Sequence, residues 1–244
     1  MKNLDLNTYV KLLHVIYEDN HIIVVVKPVD ILSQADNTND IDMLTIIKAY
    51  LKQKYQKKGN VYLGLIHRLD RMAGGIMVFA KTSKAASRLS KCISDKKFIK
   101  EYIAVVNGIF EQKEGQLKDY LKKDCKNNKT VVVNKDIKDT KLALLDYSVQ
   151  KNFVYNNKQY SLVKINLHTG RHHQIRIQFA NISHPLYGDV KYDENAVNKP
   201  IALWAYHLMF EHPVTHQMLN FEIMPNQIED NLIYKKNKIW DVIN

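Results

Sequence analysis

Cysteine is scarce: 244 residues hold only Cys92 and Cys125, and neither lies in a CxxC pair. That excludes a disulfide scaffold and a cysteine-based zinc site, and it fits a reducing cytoplasm. Five prolines and eight glycines are too few and too scattered to mark a linker or a low-complexity tract, and no repeat is visible. No apolar run approaches the roughly 18 residues that cross a bilayer, and the start, "MKNLDLNTYV", lacks the apolar core of a signal peptide. A cytoplasmic protein without a membrane span is therefore expected. P-loop, GxGxxG and HExxH patterns are missing too, which leaves nucleotide, flavin and zinc chemistry without a sequence basis. Acid is also in short supply: 25 acidic against 36 basic residues give a net charge of +11. A field of that sign favours RNA, DNA or an anionic membrane, although the same lysines would also serve plain solubility.

What is present suits one large domain. Hydrophobic residues make up 45% of the chain, enough for a sizeable core. "HIIVVVKP" (21–28) reads as a buried strand stopped by proline. Residues 40–58 space Met43, Ile46, Ile47 and Tyr50 at helical intervals behind a capping aspartate. "GGIMVFAK" (74–81) reads as a strand. Residues 82–97 read as a helix capped by Thr82 or Ser83, with Ala86, Leu89 and Ile93 inward. "EYIAVVNGIF" (101–110), "YSLVKINLH" (160–168), "ALWAYHLMFEHP" (202–213) and "MLNFEIMP" (218–225) read as strands, and residues 170–181 as a helix. The polar section 112–140 reads as an exposed hairpin or insertion around "TVVV". Strands outnumber helices and often follow one another directly. The class is α+β, with a largely antiparallel or mixed central sheet and flanking helices.

Three stretches could carry chemistry. In "HRLDRMAGG" (67–75), Asp70 follows a strand and precedes a glycine pair whose backbone freedom lets the chain approach a ligand. A carboxylate there suits nucleophilic or general-base work. Taken alone, the same residues read first as an Arg-Asp-Arg turn held by surface ion pairs. In "HTGRHHQIRIQF" (168–179), Arg171 and Arg176 lie near a helix N-terminus, where guanidinium and free N–H donors converge on anions. His168, His172 and His173 have no carboxylate or CxxC partners for a metal, and suit stacking or hydrogen bonding to nucleic acid better. Residues 81–100 hold seven basic side chains, Lys81, Lys84 and Lys100 among them, against one acid. They form a stripe that matches a phosphate backbone or merely solubilises a helix.

Taken together and in order, these stretches resemble the RluA-type pseudouridine synthases, which isomerise uridine in RNA. "VKPVDILSQ" (26–34) resembles that family's early Lys-Pro loop, "HRLDRMAGGIMVFAK" (67–81) the signature of its catalytic aspartate, and "KEYIAVVNG" (100–108) the strand of its active-site tyrosine. "TGRHHQIRIQFANISHPLYGD" (169–189) resembles its third motif and "LWAYHLMFEHPVT" (203–215) its closing strand. The likeness spans about residues 14–225.

The resemblance implies a single catalytic domain with a central RNA-binding cleft, working without metal or other cofactor as a monomer. Asp70 is then the nucleophile, attacking the ribose anomeric carbon or the uracil ring. Arg176 pairs with Asp70 and keeps it charged, and Tyr102 stacks on the detached uracil and helps in proton removal. Arg68 fills the helix space left by the flipped nucleotide, since unstacking costs a few kcal/mol and a planar cation offsets part of it. His67, Arg71, Arg171, His173, Gln174 and the lysines at 81, 84 and 100 make up the expected RNA contacts. Arg71 reads alternatively as an anchor of the turn. In two places the chain departs from the family. Ala73-Gly74-Gly75 stands where many members have Thr-Ser-Gly, and Asp30 stands where glycine is common. The 13 residues before the likeness are too few for a separate RNA-binding module, and the RNA target, ribosomal or transfer, is left open. The competing expectation is an RNA-binding or ribosome-assembly factor with little catalysis.

Overall fold

The structure, a computed structural model, describes residues 4–196, 200–234 and 237–242. In chain order its elements are α1 (Leu6–Leu12), β1 (Val15–Glu18), β2 (Ile22–Lys27), α2 (Met43–Lys54), β3 (Gly64–Leu65), β4 (Gly74–Ala80) and α3 (Ser83–Ser94). There follow β5 (Ile99–Asn107), β6 (Glu114–Asp124), β7 (Lys129–Val133), β8 (Lys141–Tyr155), β9 (Lys158–Leu167), α4 (Gln174–Asn181), β10 (Leu203–Glu211) and β11 (Met218–Glu222). The α+β class expected from the sequence holds. Backbone contacts divide the chain into two compact units, residues 1–99 with 205–235 and residues 100–204 with 236–244. Among the described residues no helix is long and apolar enough to cross a membrane.

The first unit is built on β1, β2, β4 and β10 side by side, with β3 on β4 and β11 on β10. Strands β2 and β4 run antiparallel from Ile22 opposite Ala80 to Lys27 opposite Gly75. Every residue of both is buried, which is why they read as unbroken apolar runs rather than alternating ones. Ile22, Val24, Ile76 and Val78 pack with Leu89 of α3 and with Phe98, Leu208 and Phe210. Each such side chain contributes about 1.5–3 kcal/mol by leaving water. Helix α2 starts where Asp42 accepts from the Thr45 amide at 3.2 Å, and α3 where Thr82 accepts from the Ala85 amide at 3.2 Å. Both caps match the sequence reading. On α3 the fully buried pair is Ala85 and Leu89, while Ala86 and Ile93 sit at its margin.

The second unit is the antiparallel series β5, β9, β8, β6, β7 with α4 packed against it. The expected hairpin over 112–140 exists as β6 and β7, paired from Tyr120 opposite Val133 to Asp124 opposite Lys129. It is no mere insertion, because β6 also pairs with β8 along Glu114–Leu121. The 15-residue strand β8 was not announced by its pattern, since its outer half is exposed and does not alternate. Its turn into β9 is Asn156-Asn157, both at positive φ (49° and 59°), as a tight hairpin turn requires.

Candidate active site

In the first unit, Asp70 lies in the loop between β3 and β4, half-buried, and its Oδ1 accepts from the Met72 amide at 2.9 Å. The backbone is held on both sides of it. On one side Ser33 Oγ donates to the Leu69 carbonyl (2.8 Å) and accepts from the Leu69 amide (3.1 Å). On the other, the Arg71 carbonyl accepts from the Asp30 amide at 2.8 Å and from Lys27 Nζ at 3.1 Å. Lys27 is fully buried, and its other donors go to the carbonyls of Pro28 (2.8 Å) and Ile31 (2.6 Å). Burial pushes the Lys27 ammonium down to about 7, against the pull of the Asp70 and Asp30 carboxylates. The turn that carries Ala73-Gly74-Gly75 is thus tied down from the early loop.

Arg71 braces this turn: its Nε donates to Asp30 at 2.7 Å and its Nη1 to Asp40 at 2.6 Å. Asp30, at φ +67°, keeps a glycine-like backbone and adds a carboxylate that Arg71 uses. Gly75 has φ +121°, and a Cβ there would stand 2.2 Å from the Ala205 carbonyl oxygen, so only glycine lets β4 meet β10. Arg68 is exposed beside this loop.

Three expected RNA contacts of the chain turn inward instead. His67 is half-buried edge-on to Phe98, and its Nε2 accepts from the Val78 amide at 3.2 Å. Lys81 donates to Glu18 at 2.6 Å and to the Asp19 carbonyl, with its side chain only 9% exposed. Gln174, in the second unit, is buried. Its Oε1 accepts from Thr169 Oγ1 (2.8 Å) and the Arg171 amide (3.0 Å), while its Nε2 donates to the Leu144 carbonyl (3.2 Å). In each case a satisfied internal bond outweighs a solvent-facing role. Lys84 is exposed on α3, as are Arg88 and Lys91, and Lys96 and Lys97 are exposed just after the helix ends.

In the second unit, Tyr102 sits on β5 opposite Ile165, buried, and burial lifts its phenol above the ordinary tyrosine range. Lys100 is half-buried on the same strand, its ammonium pushed down by burial, and a Cβ at Gly170 would lie 3.8 Å from its Nζ. Arg176 on α4 is 4% exposed. Its Nε and Nη2 donate to the two oxygens of the fully buried Asp189, at 2.7 and 2.6 Å. Arg171 is exposed and its Nε donates to the Leu142 carbonyl at 2.9 Å. His173 caps α4 in a left-handed conformation (φ 50°), and its Nδ1 lies 2.8 Å from the Tyr192 hydroxyl. Lys27, Ser33, Asp189 and Tyr192 were not singled out from the sequence. The lysine closing an otherwise apolar strand and the acid ending the third motif were the available signals.

Residues 21–181 match the family described as RNA pseudouridylate synthase. The chain belongs to that family. Its type is the RluA type expected from the ordered motifs. Over 222 residues it is 31% identical to an RNA pseudouridine synthase of Aquifex aeolicus, covering 86% of this chain and 69% of that one. Over 226 residues it is 31% identical to ribosomal large subunit pseudouridine synthase D of Haemophilus influenzae, covering 86% and 66%. The chain thus spans about two thirds of the length of these curated relatives. Its fold is that of human RNA pseudouridylate synthase domain containing 4, with a TM-score of 0.73 at 20% identity over 90% of this chain and 92% of that one.

Proposed function

We propose that this pseudouridylate synthase chain converts uridine in ribosomal RNA to pseudouridine, with Asp70 as the nucleophile. The carrying observation is the double clamp on the Asp70 loop: Ser33 grips residue 69, and Lys27 with Asp30 grips residue 71, so the carboxylate between them is held by its neighbours' backbone. A reacting group fixed in this way loses little orientational freedom when substrate arrives. The relative named for the ribosomal large subunit supports the choice of RNA.

In this reading the target uridine swings out of the RNA stack and Arg68 fills the gap. Asp70 attacks the anomeric carbon or the uracil ring and the glycosidic bond breaks. The uracil turns while stacked on Tyr102, C5 bonds to the sugar, the bond to Asp70 breaks and frees the carboxylate, and the proton lost from C5 is balanced by one gained at N1. Tyr102 serves as a flat, neutral ring, because burial keeps its phenol protonated. Arg176, fixed by Asp189, keeps the nucleophile ionised. Exposed Lys84 and Arg171 hold phosphates. On the same reading the reaction takes place in the cytoplasm and needs one chain.

The test is chemical mapping of pseudouridine in ribosomal RNA treated with the parent chain or with Asp70→Asn. The parent should modify a defined uridine, and the variant should bind the same RNA without product. Modification by the variant at the parent rate overturns the assignment.

A further inference from the structure

The hairpin β6–β7 and helix α4 are bolted together at two places. At the far end of the helix, Asp119 of β6 accepts from Gln178 Nε2 at 2.7 Å and from Asn181 Nδ2 at 3.3 Å. At the near end the links run through the Tyr192 phenol and the Thr130 side chain. The Tyr192 hydroxyl accepts from the Thr130 amide of β7 at 2.8 Å and shares a hydrogen bond with His173 Nδ1, also at 2.8 Å. Thr130 is 2% exposed, and its hydroxyl donates to the His172 carbonyl while standing 2.9 Å from His172 Nδ1. The His172 and His173 rings stack at 3.7 Å. The Tyr192 ring in turn lies 5.2 Å from the Arg176 guanidinium carbon, a cation–π distance. Asp189, which grips Arg176, stands three residues earlier and accepts through its carbonyl from the Tyr192 amide at 3.1 Å.

Beyond Thr130 the hairpin ends in a basic tip, with Lys122, Lys123, Lys126 and Lys129 against Asp124. Lys191, next to Tyr192, donates to the Asn128 carbonyl in the same turn at 3.0 Å. Arg176 therefore has its guanidinium between two groups, Asp189 and Tyr192, and Tyr192 is also hydrogen-bonded to the strand that carries the tip.

We propose that Tyr192 is a positioning residue that couples the basic β6–β7 hairpin to Arg176, so that RNA held at the tip fixes the guanidinium in place. This rests on the reading of Arg176 as part of the catalytic group. Removing the hydroxyl leaves the ring over Arg176 and the Thr130–His172 and Lys191–Asn128 bonds in place but cuts the direct bond from the phenol to β7.

The test is a double-mutant cycle on the full chain, with Tyr192→Phe in one arm and Lys126→Ala with Lys129→Ala in the other. Single-turnover rates are read at saturating ribosomal RNA, and the nitrogen resonance of Arg176 Nε is followed as RNA is added. Tyr192→Phe should bind RNA with the parent affinity yet react at least about tenfold more slowly. The tip substitutions should slow the parent at saturation but not slow Tyr192→Phe further, and the Arg176 shift seen with RNA in the parent should be lost in both. Additive effects on the rate, or a parent-like rate and shift in Tyr192→Phe, overturn the coupling. A parent chain whose Arg176 resonance responds to RNA through Tyr192 but which forms no pseudouridine would keep the coupling and overturn the proposed function.

Discussion

Asp30 and Arg71 hold each other twice: the Asp30 amide donates to the Arg71 carbonyl at 2.8 Å, and Arg71 Nε returns a bond to the Asp30 carboxylate at 2.7 Å. The first bond fixes the backbone beside Asp70, and the second holds the residue that makes the first. Both side chains are about a third exposed, so the ion pair is worth roughly 1 kcal/mol or less. Asp30 also bears a left-handed backbone that costs a non-glycine residue about 1 kcal/mol. In Asp30→Gly these terms nearly cancel. Thermal melting should move little, while the single-turnover rate should drop because Arg71 loses one of its two carboxylates. An unchanged rate would mean that the Asp70 loop does not need this pair.

Lys27 allows a sharper test. Lys27→Met keeps the bulk but strands the buried carbonyls of Pro28 and Ile31, each at about 1–3 kcal/mol, and takes one of two donors from the Arg71 carbonyl. Stability and activity should both fall. The pH dependence gives an independent check. With a folded value near 7 against an ordinary 10.5, the unfolded chain holds more protons than the folded one between those limits. This group therefore makes the fold more stable as pH rises through that window, and the contribution is lost as pH falls toward 7. Urea unfolding of parent and variant at two pH values inside the window should show that slope only in the parent.

Much of this was legible in the sequence, and what was not has a physical pattern. Strands β2 and β4 and the caps at Asp42 and Thr82 were readable because each is a local signal: an apolar run, or an acceptor ahead of a helical period. Asp70 stood out for the same reason. Arg71 could not be assigned between anchor and RNA contact, because its partners Asp30 and Asp40 lie 41 and 31 residues away. Lys27 and Lys81 were hidden by a sound rule, that lysine stays in water, which fails where carbonyls or a buried glutamate surround the ammonium. Strand β8 escaped because only its inner half faces a core, though Asn-Asn at its end was a usable turn signal.

Gly75→Ala should be far more damaging than Gly59→Ala. At Gly75 the added carbon meets Ala205 backbone at 2.2 Å with φ at +121°, and backbone cannot give way as a side chain tip can. At Gly59 nothing lies within 4 Å. Strain and overpacking together should cost about 3 kcal/mol or more at position 75. Comparing the two melting curves checks it, and equal midpoints would contradict the close approach of β4 to β10.

Glu18 ties acid stability to the first unit's ion pairs. Burial pushes its carboxyl up, but bonds from Lys54, Lys81 and Tyr55 outweigh burial and hold it at about 2, against an ordinary 4.5. A depressed carboxylate contributes fully above its unfolded value, and the contribution is lost as pH falls through 4.5 toward 2. The shift corresponds to ~3 kcal/mol. Lys81→Met should weaken the fold at neutral pH and flatten the loss of stability between pH 4.5 and 2, as read by chemical denaturation across that range.

The same lysine separates structural charge from RNA-binding charge. Lys81 is committed to Glu18, whereas Lys84 and Lys91 on α3 and Lys97 just beyond it face solvent. If the exposed set tracks phosphates, each contact releases condensed counterions, and the slope of log affinity against log salt steepens by about 0.7–0.9 per contact. Reversing Lys84, Lys91 and Lys97 to glutamate should therefore flatten the slope by about two units or more, while Lys81→Met should leave it unchanged in the folded protein. Filter binding of ribosomal RNA over a range of salt concentrations measures both. A parent-like slope in the triple variant would assign these lysines to solubility and move phosphate binding elsewhere on the chain, whereas a flattened slope in Lys81→Met would mean that its bond to Glu18 opens when RNA binds.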